Sequence, residues 1–338
     1  MSNLPSRKRA RHTLPSIAAI ACALSLVLTG CGADAEDDNA PEAATTRTFT
    51  ADNGDIEIPT DPERIVATGY AVPVLIEADA DLVGISEWSR GVAMMSEEDA
   101  ATYEELPKVA GEIAAETNYE AIAEADPDLI IIGVPRPARV DLDVTKLEGI
   151  APVVVIGPTH PDSWKTISAK QADAAGASEG FEAARDAYLA RAEDVRAAHA
   201  DTIEGLKFGH LGAYGDVQAG TFHREFAGSW GTNIGDDVGI DYYGEVVKKG
   251  GGSEDVSEYP SIEQLPESFA DADVITYSLD IDGKVPQAIQ YVLDHELWQN
   301  LPAVKAGKVL PLRYTEAATY TSALMTLDAI DEALGQLQ

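Results

Sequence analysis

The chain has 338 residues, of which 45% are hydrophobic, so it is long enough to bury the cores of two domains of ordinary size. It carries 58 acidic residues against 24 lysines and arginines, which gives a net charge of −34. This charge argues against nucleic-acid binding, because such proteins present basic surfaces, and it disfavours polyanionic ligands unless basic side chains gather at their site.

The first 30 residues have the pattern of a secretory signal peptide. A basic segment, Arg7–Arg11, precedes the apolar run Leu14–Leu28, which is shorter than the roughly 20 residues that span a bilayer. The run ends in the sequence LTGC, and small residues directly before a cysteine resemble a bacterial lipobox. We therefore expect cleavage after residue 30 and a lipid on Cys31 that anchors the protein to the outer face of the cell membrane. An ordinary secretory signal that happens to contain a cysteine is the alternative.

Residues 31–47 are predicted to form a disordered, acidic tether. They contain no aromatic residue and almost no large aliphatic one, so they have too little apolar surface to fold. Removal of the signal peptide also removes Cys22 and leaves Cys31 as the single cysteine, so no disulfide is expected.

Residues 48–178 are predicted to form an α/β lobe. Thr48–Pro59 alternates around Asn53-Gly54, which is a strong hairpin signal. Short apolar runs without alternation follow, as in strands buried on both faces of a parallel sheet, and helical stretches separate them. The predicted strands are Arg64–Gly69, Leu82–Ile85, Leu129–Gly133 and Val153–Gly157, and the helices are Val72–Ala80, Glu97–Glu104 and Tyr119–Ala125.

Residues 179–202 are predicted to form one long helix that connects two lobes. Phe181–Ala200 contains neither glycine nor proline and is rich in alanine, and such a helix would span about 30 Å. An ordinary surface helix is the alternative. A second α/β lobe is expected over residues 203–338, with strands at Phe208–Tyr214, Val217–Phe222, Val274–Tyr277 and Val309–Leu312 and a closing helix at Thr319–Leu337.

The same unit occurs once in each predicted lobe. Residues 118–133 read NYEAIAEADPDLIIIG and residues 260–278 read PSIEQLPESFADADVITYS. Each contains a helix-capping residue, Asn118 or Ser261, has a glutamate two residues later (Glu120 or Glu263) and runs into a buried strand. An acid in the first turn of a helix stabilises it by about 0.3–1 kcal/mol, which alone could explain both glutamates.

The sequence contains no recognisable catalytic motif, neither Gly-x-Ser-x-Gly nor His-Glu-x-x-His nor a P-loop, and it has no cysteine pair that could hold a metal. We therefore expect no enzymatic activity, no cofactor and no metal held by the protein itself. A secreted hydrolase is a weak alternative.

Arginines and aromatic residues cluster in the segments that follow predicted strands. In open α/β sheets, ligands bind at the carboxyl ends of the strands, so these side chains are candidates for a shared ligand cleft. Taken singly, each could equally be a solvated arginine or a half-buried aromatic residue. The candidates are Trp88, Arg90, Arg136, Tyr214, Arg224, Trp230, Tyr277, Arg313 and Tyr314, with Arg139 as a weaker one.

The chain resembles the substrate-binding lipoproteins of ABC importers for ferric siderophores and cobalamin. The segments that carry the resemblance are PERIVATG, LVGIS, NYEAIAEADPDLIIIG, LEGIAPVVVI, FAGSWGTNIGDDVGI, IEQLPESFADADVITYS and LPAVKAGKVLPL, which follow the family's order over most of residues 48–338. The resemblance implies a class III fold, in which two Rossmann-like α/β lobes are bridged by a single long α-helix.

The resemblance also implies a function. A monomer anchored outside the cell would capture a ferric siderophore between its lobes and deliver it to a permease, whose two membrane subunits would meet Glu120 and Glu263. We favour a hydroxamate siderophore, because its ferric complex is neutral or singly positive, whereas a trianionic catecholate complex would be repelled by this acidic chain. Binding of haem or cobalamin by the same fold is the alternative, and for haem His210, His223 or Tyr277 could ligate the iron.

Overall fold

A computed structural model describes residues 45–337 of the chain. The predicted signal peptide, the predicted lipid site at Cys31 and residues 31–44 of the predicted tether lie outside the described residues.

A β-hairpin begins the described part of the chain, as predicted. Its antiparallel strands are β1 (Thr46–Ala51) and β2 (Gly54–Pro59). Asn53 in the turn reaches the neighbouring sheet, where its side-chain amide donates to the carbonyl oxygen of Val153 at 3.0 Å and its side-chain oxygen accepts from the amide of Val155 at 3.0 Å. The hairpin therefore covers what would otherwise be an open sheet edge.

The first lobe is built on a five-stranded sheet in which every pair of neighbours is parallel and whose order is β5-β4-β3-β6-β7. Its strands are β3 (Ile65–Gly69), β4 (Leu82–Ser86), β5 (Lys108–Ala110), β6 (Leu129–Gly133) and β7 (Val153–Val155). The helices of this lobe are α1 (Ala71–Glu77), α2 (Glu97–Glu105), α3 (Tyr119–Glu124), α4 (Val144–Glu148) and α5 (Trp164–Ala174).

The strands of this sheet are buried on both faces, which explains their continuous apolar sequences. In β6, Ile131 belongs to one hydrophobic core, while Ile130 and Ile132 belong to the core on the opposite face. Successive side chains of a strand point to opposite faces, so a sheet covered by helices on both sides needs an apolar residue at every position.

A 26-residue helix, α6 (Ser178–Ile203), connects the two lobes, as predicted. It packs against α5 and α1 of the first lobe and against the last helix of the second. Phe181, Tyr188, Val195 and Ile203 lie on its buried face, so the helix is a packed part of both lobes and not a solvated linker.

The second lobe contains a six-stranded mixed sheet with the order β11-β9-β8-β12-β13, and β10 pairs with the first residues of β8. Its strands are β8 (Lys207–Gly212), β9 (His223–Glu225), β10 (Asp241–Tyr242), β11 (Ser257–Glu258), β12 (Val274–Ser278) and β13 (Val309–Leu312). Its helices are α7 (Asn233–Asp237), α8 (Leu265–Ser268), α9 (Gln287–Leu293), α10 (Glu296–Gln299), α11 (Pro302–Lys305) and α12 (Tyr320–Gly335).

The predicted strand at Val217–Phe222 is wrong. Residues 217–220 form a turn, because the carboxylate of Asp216 accepts hydrogen bonds from the amides of Gln218 and Ala219 at 2.9 and 3.1 Å. Gly220 leaves this turn with a φ of 68°, which favours glycine, and the strand begins only at His223.

The repeated unit occupies equivalent places in the two lobes. The side chain of Asn118 caps α3, which leads into β6, and Ser261 caps a short 3-10 helix, Ile262–Gln264, which leads through α8 into β12. Glu120 and Glu263 are both exposed in the first turn after these caps.

Among residues 45–337, no helix combines the length and the apolar character needed to cross a membrane.

The packing of α12 on α6 can be tested by substitution. Leu327 on α12 is fully buried in the core that both helices share, so Leu327→Ala should lower the free energy of unfolding by about 2–5 kcal/mol in urea denaturation. Leu189→Ala is the control, because Leu189 lies on α6 with 54% of its surface exposed and should lose less than about 1 kcal/mol. Equal losses would contradict this arrangement.

Candidate ligand-binding cleft

A cavity lies between the two lobes, where loops from the ends of both sheets face each other. The first lobe contributes the segments after β3 and β4 together with the faces of α1 and α2. The second lobe contributes the loops after β8, β9 and β13 and the first turn of α12. The lining residues on which its chemistry depends are Tyr70, Glu77, Trp88, Arg90, Met94, Asp99, Tyr214, Trp230 and Glu316.

Aromatic rings form one wall of the cavity. The ring centroid of Tyr70 lies 4.8 Å from that of Trp88 in an edge-to-face contact and 5.7 Å from that of Trp230 in a stacked contact. Because Tyr70 belongs to the first lobe and Trp230 to the second, the stacked pair joins the lobes directly. Flat apolar faces of this kind pack against the organic shell of a ligand.

Arg90 is held against this wall. Its guanidinium carbon lies 4.0 Å from the ring centroid of Trp88 and 4.9 Å from that of Tyr70, which are distances of cation–π contacts. The amide of Arg90 donates to the carboxylate of Glu112 at 3.3 Å, and the Ser89 hydroxyl donates to the same carboxylate at 2.9 Å and lowers the pKa of Glu112. The loop is thereby fixed while the guanidinium stays exposed.

The indole of Trp88 is positioned by its own loop. The main-chain amide of Trp88 donates to the hydroxyl of Tyr103 at 2.8 Å, and the Trp88 side chain is only 6% exposed. A β-carbon at Gly91 would lie 2.2 Å from the indole nitrogen, so only glycine at this position leaves room for the ring.

Acidic groups also line the cavity. The hydroxyl of Tyr214 donates to the carboxylate of Glu316, and burial together with this negative charge raises the pKa of the tyrosine. Glu77, at the end of α1, accepts a hydrogen bond from the amide of Thr321 at 3.0 Å and so bridges the lobes. Burial raises the pKa of Glu77, although hydrogen bonds from Thr319 and Thr321 partly offset the effect.

A buried polar network holds the loop that carries Trp230. The carboxylate of Glu225 accepts from the Ser229 hydroxyl at 2.6 Å and from the amide of Gly231 at 3.3 Å, and it lies 3.2 Å from Nε2 of His210. Burial alone would raise the pKa of Glu225, but the adjacent imidazoles and the hydroxyl outweigh it and lower the pKa to about 2. The network therefore contains a carboxylate at neutral pH.

Four of the residues predicted from the sequence, Trp88, Arg90, Tyr214 and Trp230, line the cavity together. Arg224 does not join them, because its side chain is 1% exposed and its guanidinium donates to the main-chain carbonyls of His210, Glu225 and Tyr243. It lies inside the second lobe, where its guanidinium forms cation–π contacts with the rings of Phe226, Tyr243 and Phe269.

The remaining candidates also lie away from the lining. Arg136 is exposed on a short 3-10 helix. Arg139 forms an ion pair with Asp52 at 2.6 Å.

Three further candidates belong to the second lobe. Arg313 donates to the carbonyl oxygen of Ile281 at 2.6 Å, while Tyr277 and Tyr314 pack against hydrophobic cores of that lobe. None of the three is among the lining residues of the cavity.

Sequence reasoning missed several lining residues. Tyr70 directly follows β3, so the rule that ligands bind after strands could have identified it. Glu77 and Asp99 lie on helices, and Glu316 precedes one; their position at the cavity depends on how the lobes pack, for which the sequence offers no local signal.

The histidines named as possible haem ligands are enclosed in the second lobe. His210 is fully buried, with its ring nitrogens 2.7 Å from the Thr276 hydroxyl and 3.0 Å from the Ser278 hydroxyl, and His223 is 3% exposed. Neither lines the cavity. Within residues 45–337, no group of three or more acidic, histidine or cysteine side chains is arranged to hold a metal ion.

Comparison with known proteins identifies the family. Residues 65–314 match the periplasmic binding protein family. The chain belongs to this family. Periplasmic binding proteins act outside the cytoplasm and are not enzymes, so this chain is an extracytoplasmic solute-binding protein.

Individual relatives agree with this assignment. A siderophore periplasmic binding protein from the fuscachelin gene cluster of Thermobifida fusca is 32% identical, with a TM-score of 0.64 over 81% of this chain and 97% of that one. The iron(3+)-hydroxamate-binding protein YxeB of Bacillus subtilis is 26% identical over 279 residues, which are 80% of this chain and 79% of YxeB. SirA of Staphylococcus aureus, solved with staphyloferrin B, shares the fold at 21% identity, with a TM-score of 0.65 over 86% of this chain and 99% of SirA.

The low pKa of Glu225 makes a testable contribution to the stability of this periplasmic binding protein. A carboxylate whose pKa is about 2 when folded and near its ordinary value when unfolded stabilises the fold in full above about pH 4.5, and the contribution is lost as the pH falls towards 2. Between about pH 6 and pH 3, the wild type should therefore lose about 2 kcal/mol more unfolding free energy than Glu225→Gln. Urea denaturation at both pH values measures this difference.

Glu332→Gln is the control for this measurement, because Glu332 is exposed on α12 and should keep the acid dependence of the wild type. If Glu225→Gln and the wild type lose equal stability on acidification, Glu225 is not a buried carboxylate in the folded protein.

Proposed function

We propose that this periplasmic binding protein captures a ferric siderophore, of the hydroxamate type, between its lobes and delivers it to the permease of an ABC importer. The observation that carries the proposal is the cavity, where one arginine and four aromatic rings from both lobes converge. The relatives in Thermobifida fusca and Bacillus subtilis support it, since one is described as siderophore-binding and the other as iron(3+)-hydroxamate-binding.

The proposed recognition follows from the chemistry of a ferric siderophore. The chelator itself fills the coordination positions of the iron, so the protein recognises the outer surface of the complex. Trp88, Trp230, Tyr70 and Tyr214 would pack against its apolar parts, and Arg90 would donate charge-assisted hydrogen bonds to iron-bound oxygens. Because the lobes share the packed helix α6, we expect them to close only slightly around the ligand.

Ligand binding can be measured by quenching of tryptophan fluorescence, because Trp88 and Trp230 both line the cavity. We expect ferric hydroxamates to bind in preference to ferric catecholates, ferric citrate, cobalamin and haem. Arg90→Ala should weaken hydroxamate binding by about tenfold to a hundredfold, the usual effect of losing hydrogen bonds from a charged group.

Arg185→Ala is the matched control, since Arg185 is half-buried on α6, pairs with Asp186 and is not among the lining residues of the cavity, so its loss should not change affinity. Failure of all ferric hydroxamates to bind would refute the proposed ligand class, and an unchanged affinity in Arg90→Ala would refute the proposed role of Arg90.

We further propose that Cys31 carries a lipid and that residues 31–47 tether the binding lobes to the outer face of the cell membrane, with the protein acting as a monomer. The apolar run and the small residues before Cys31 support this anchor. More than one acyl chain on the cysteine would be needed for stable attachment.

Glu120 and Glu263 are the proposed contacts with the permease. Both are exposed, one on each lobe, at the same position of the repeated unit, and neither forms an ion pair within residues 45–337. Exposed ion pairs are individually weak, so two contacts held apart by one packed body would fix orientation more than they add affinity.

The docking proposal predicts a separation of transport from binding. Glu120→Ala/Glu263→Ala should bind the ferric hydroxamate with unchanged affinity but reduce its uptake by cells more than tenfold, because the arginines expected on the permease would lose their partners. Glu124→Ala/Glu267→Ala is the control, since these glutamates are exposed on the same two units and lose the same charge. Normal uptake in the first variant, or equal loss in both, would contradict docking through Glu120 and Glu263.

A further inference from the structure

Acidic side chains outnumber basic ones in the lining of the cavity. Three carboxyl groups line it, those of Glu77, Asp99 and Glu316, against the single guanidinium of Arg90. No lysine or histidine is among its lining residues. The residues that line the cavity therefore carry more negative than positive groups. This local excess is separate from the negative net charge of the whole chain.

None of these carboxyl groups has a cationic partner. Within residues 45–337, neither Glu77 nor Asp99 nor Glu316 forms an ion pair. Their neighbours are neutral donors, namely the amide of Thr321 beside Glu77 and the hydroxyl of Tyr214 beside Glu316. These hydrogen bonds hold Glu77 and Glu316 in place without supplying a positive charge.

The position of Glu77 makes its ionisation sensitive to a bound cation. Its carboxyl group lies between the lobes, where burial opposes ionisation and raises its pKa. A cation brought to this place would regain Coulomb energy that water no longer supplies, so the cavity is better matched to a positive ligand than to a neutral one.

The aromatic wall favours the same kind of ligand. The faces of aromatic rings attract cations, and Arg90 already lies over Trp88 and Tyr70 in this way. Trp230 and Tyr214 belong to the same lining and are not contacted by Arg90 in this manner. Trp230 and Tyr214 therefore add aromatic surface to the same lining as the three carboxyl groups.

On the basis of the proposed function, we infer that the ligand is a ferric hydroxamate complex that carries a positively charged group, such as a protonated amine. The carboxyl groups of Glu77, Asp99 and Glu316 would hold this cation, while Arg90 would face the iron-bound oxygens. Anionic complexes, including tris-catecholates, would meet three negative groups and only one positive one.

A matched pair of ligands tests this inference on the complete protein. The ferric complex of desferrioxamine B has a terminal ammonium group, and the ferric complex of N-acetyl-desferrioxamine B has the same three hydroxamates without that charge. At low salt, the charged complex should bind about tenfold more tightly, the usual advantage of one charge-assisted contact. The ratio of the two dissociation constants should fall towards one as salt is added.

Variants locate the effect. Asp99→Asn/Glu316→Gln should bring the ratio of dissociation constants close to one, because two of the three negative charges are removed. Glu98→Gln is the control, since Glu98 is exposed on the same helix as Asp99 but does not line the cavity, and its removal should leave the ratio unchanged.

The possible results are distinct. Equal affinities for the two complexes in the wild type, or a preference that persists in Asp99→Asn/Glu316→Gln, would overturn the inference and leave the proposed function standing. If neither complex binds and no other ferric hydroxamate does, the proposed function itself fails. If the double variant does not fold, as judged by thermal unfolding, the salt dependence of the wild-type ratio decides, and a ratio that does not change with salt overturns the inference.

Discussion

The packing around Tyr320 is the contact on which the arrangement of the two lobes depends. Its ring lies 5.1 Å from that of Trp164, 5.6 Å from that of Phe181 and 5.2 Å from that of Tyr188, measured between centroids. These rings come from α5, α6 and α12, so a single aromatic cluster fastens the connecting helix to both lobes. A helix held in this way resists bending, because its movement would expose several large apolar surfaces at once.

The cleft takes its form from this constraint. Because Tyr320 begins α12, the neighbouring residues Thr319 and Thr321 are brought to the cavity, where Glu77 of the first lobe accepts a hydrogen bond from the amide of Thr321. The stacked rings of Tyr70 and Trp230 close the same interface from the other side. The lobes therefore meet through specific polar and aromatic contacts.

The role of each arginine depends on its local surroundings in the folded chain. The chain has a net charge of −34, yet Arg90 is held at the cavity by aromatic rings and a fixed loop. Arg224, in contrast, lies inside the second lobe and donates to main-chain carbonyls. Arginines that look equivalent in the sequence therefore have unrelated roles. Burial and available partners separate them, and both depend on the folded chain.

The sequence by itself determined the fold class, the long connecting helix and the repeated unit with its two exposed glutamates, because these depend on local periodicity, capping and strand composition. It also placed Trp88, Arg90, Tyr214 and Trp230 after strands, where parallel sheets bind ligands. Only the tertiary structure decided that Arg224 is buried, that residues 217–220 turn instead of extending, and that Glu77 reaches the cavity. These outcomes depend on contacts between residues far apart in the chain, which no local pattern records.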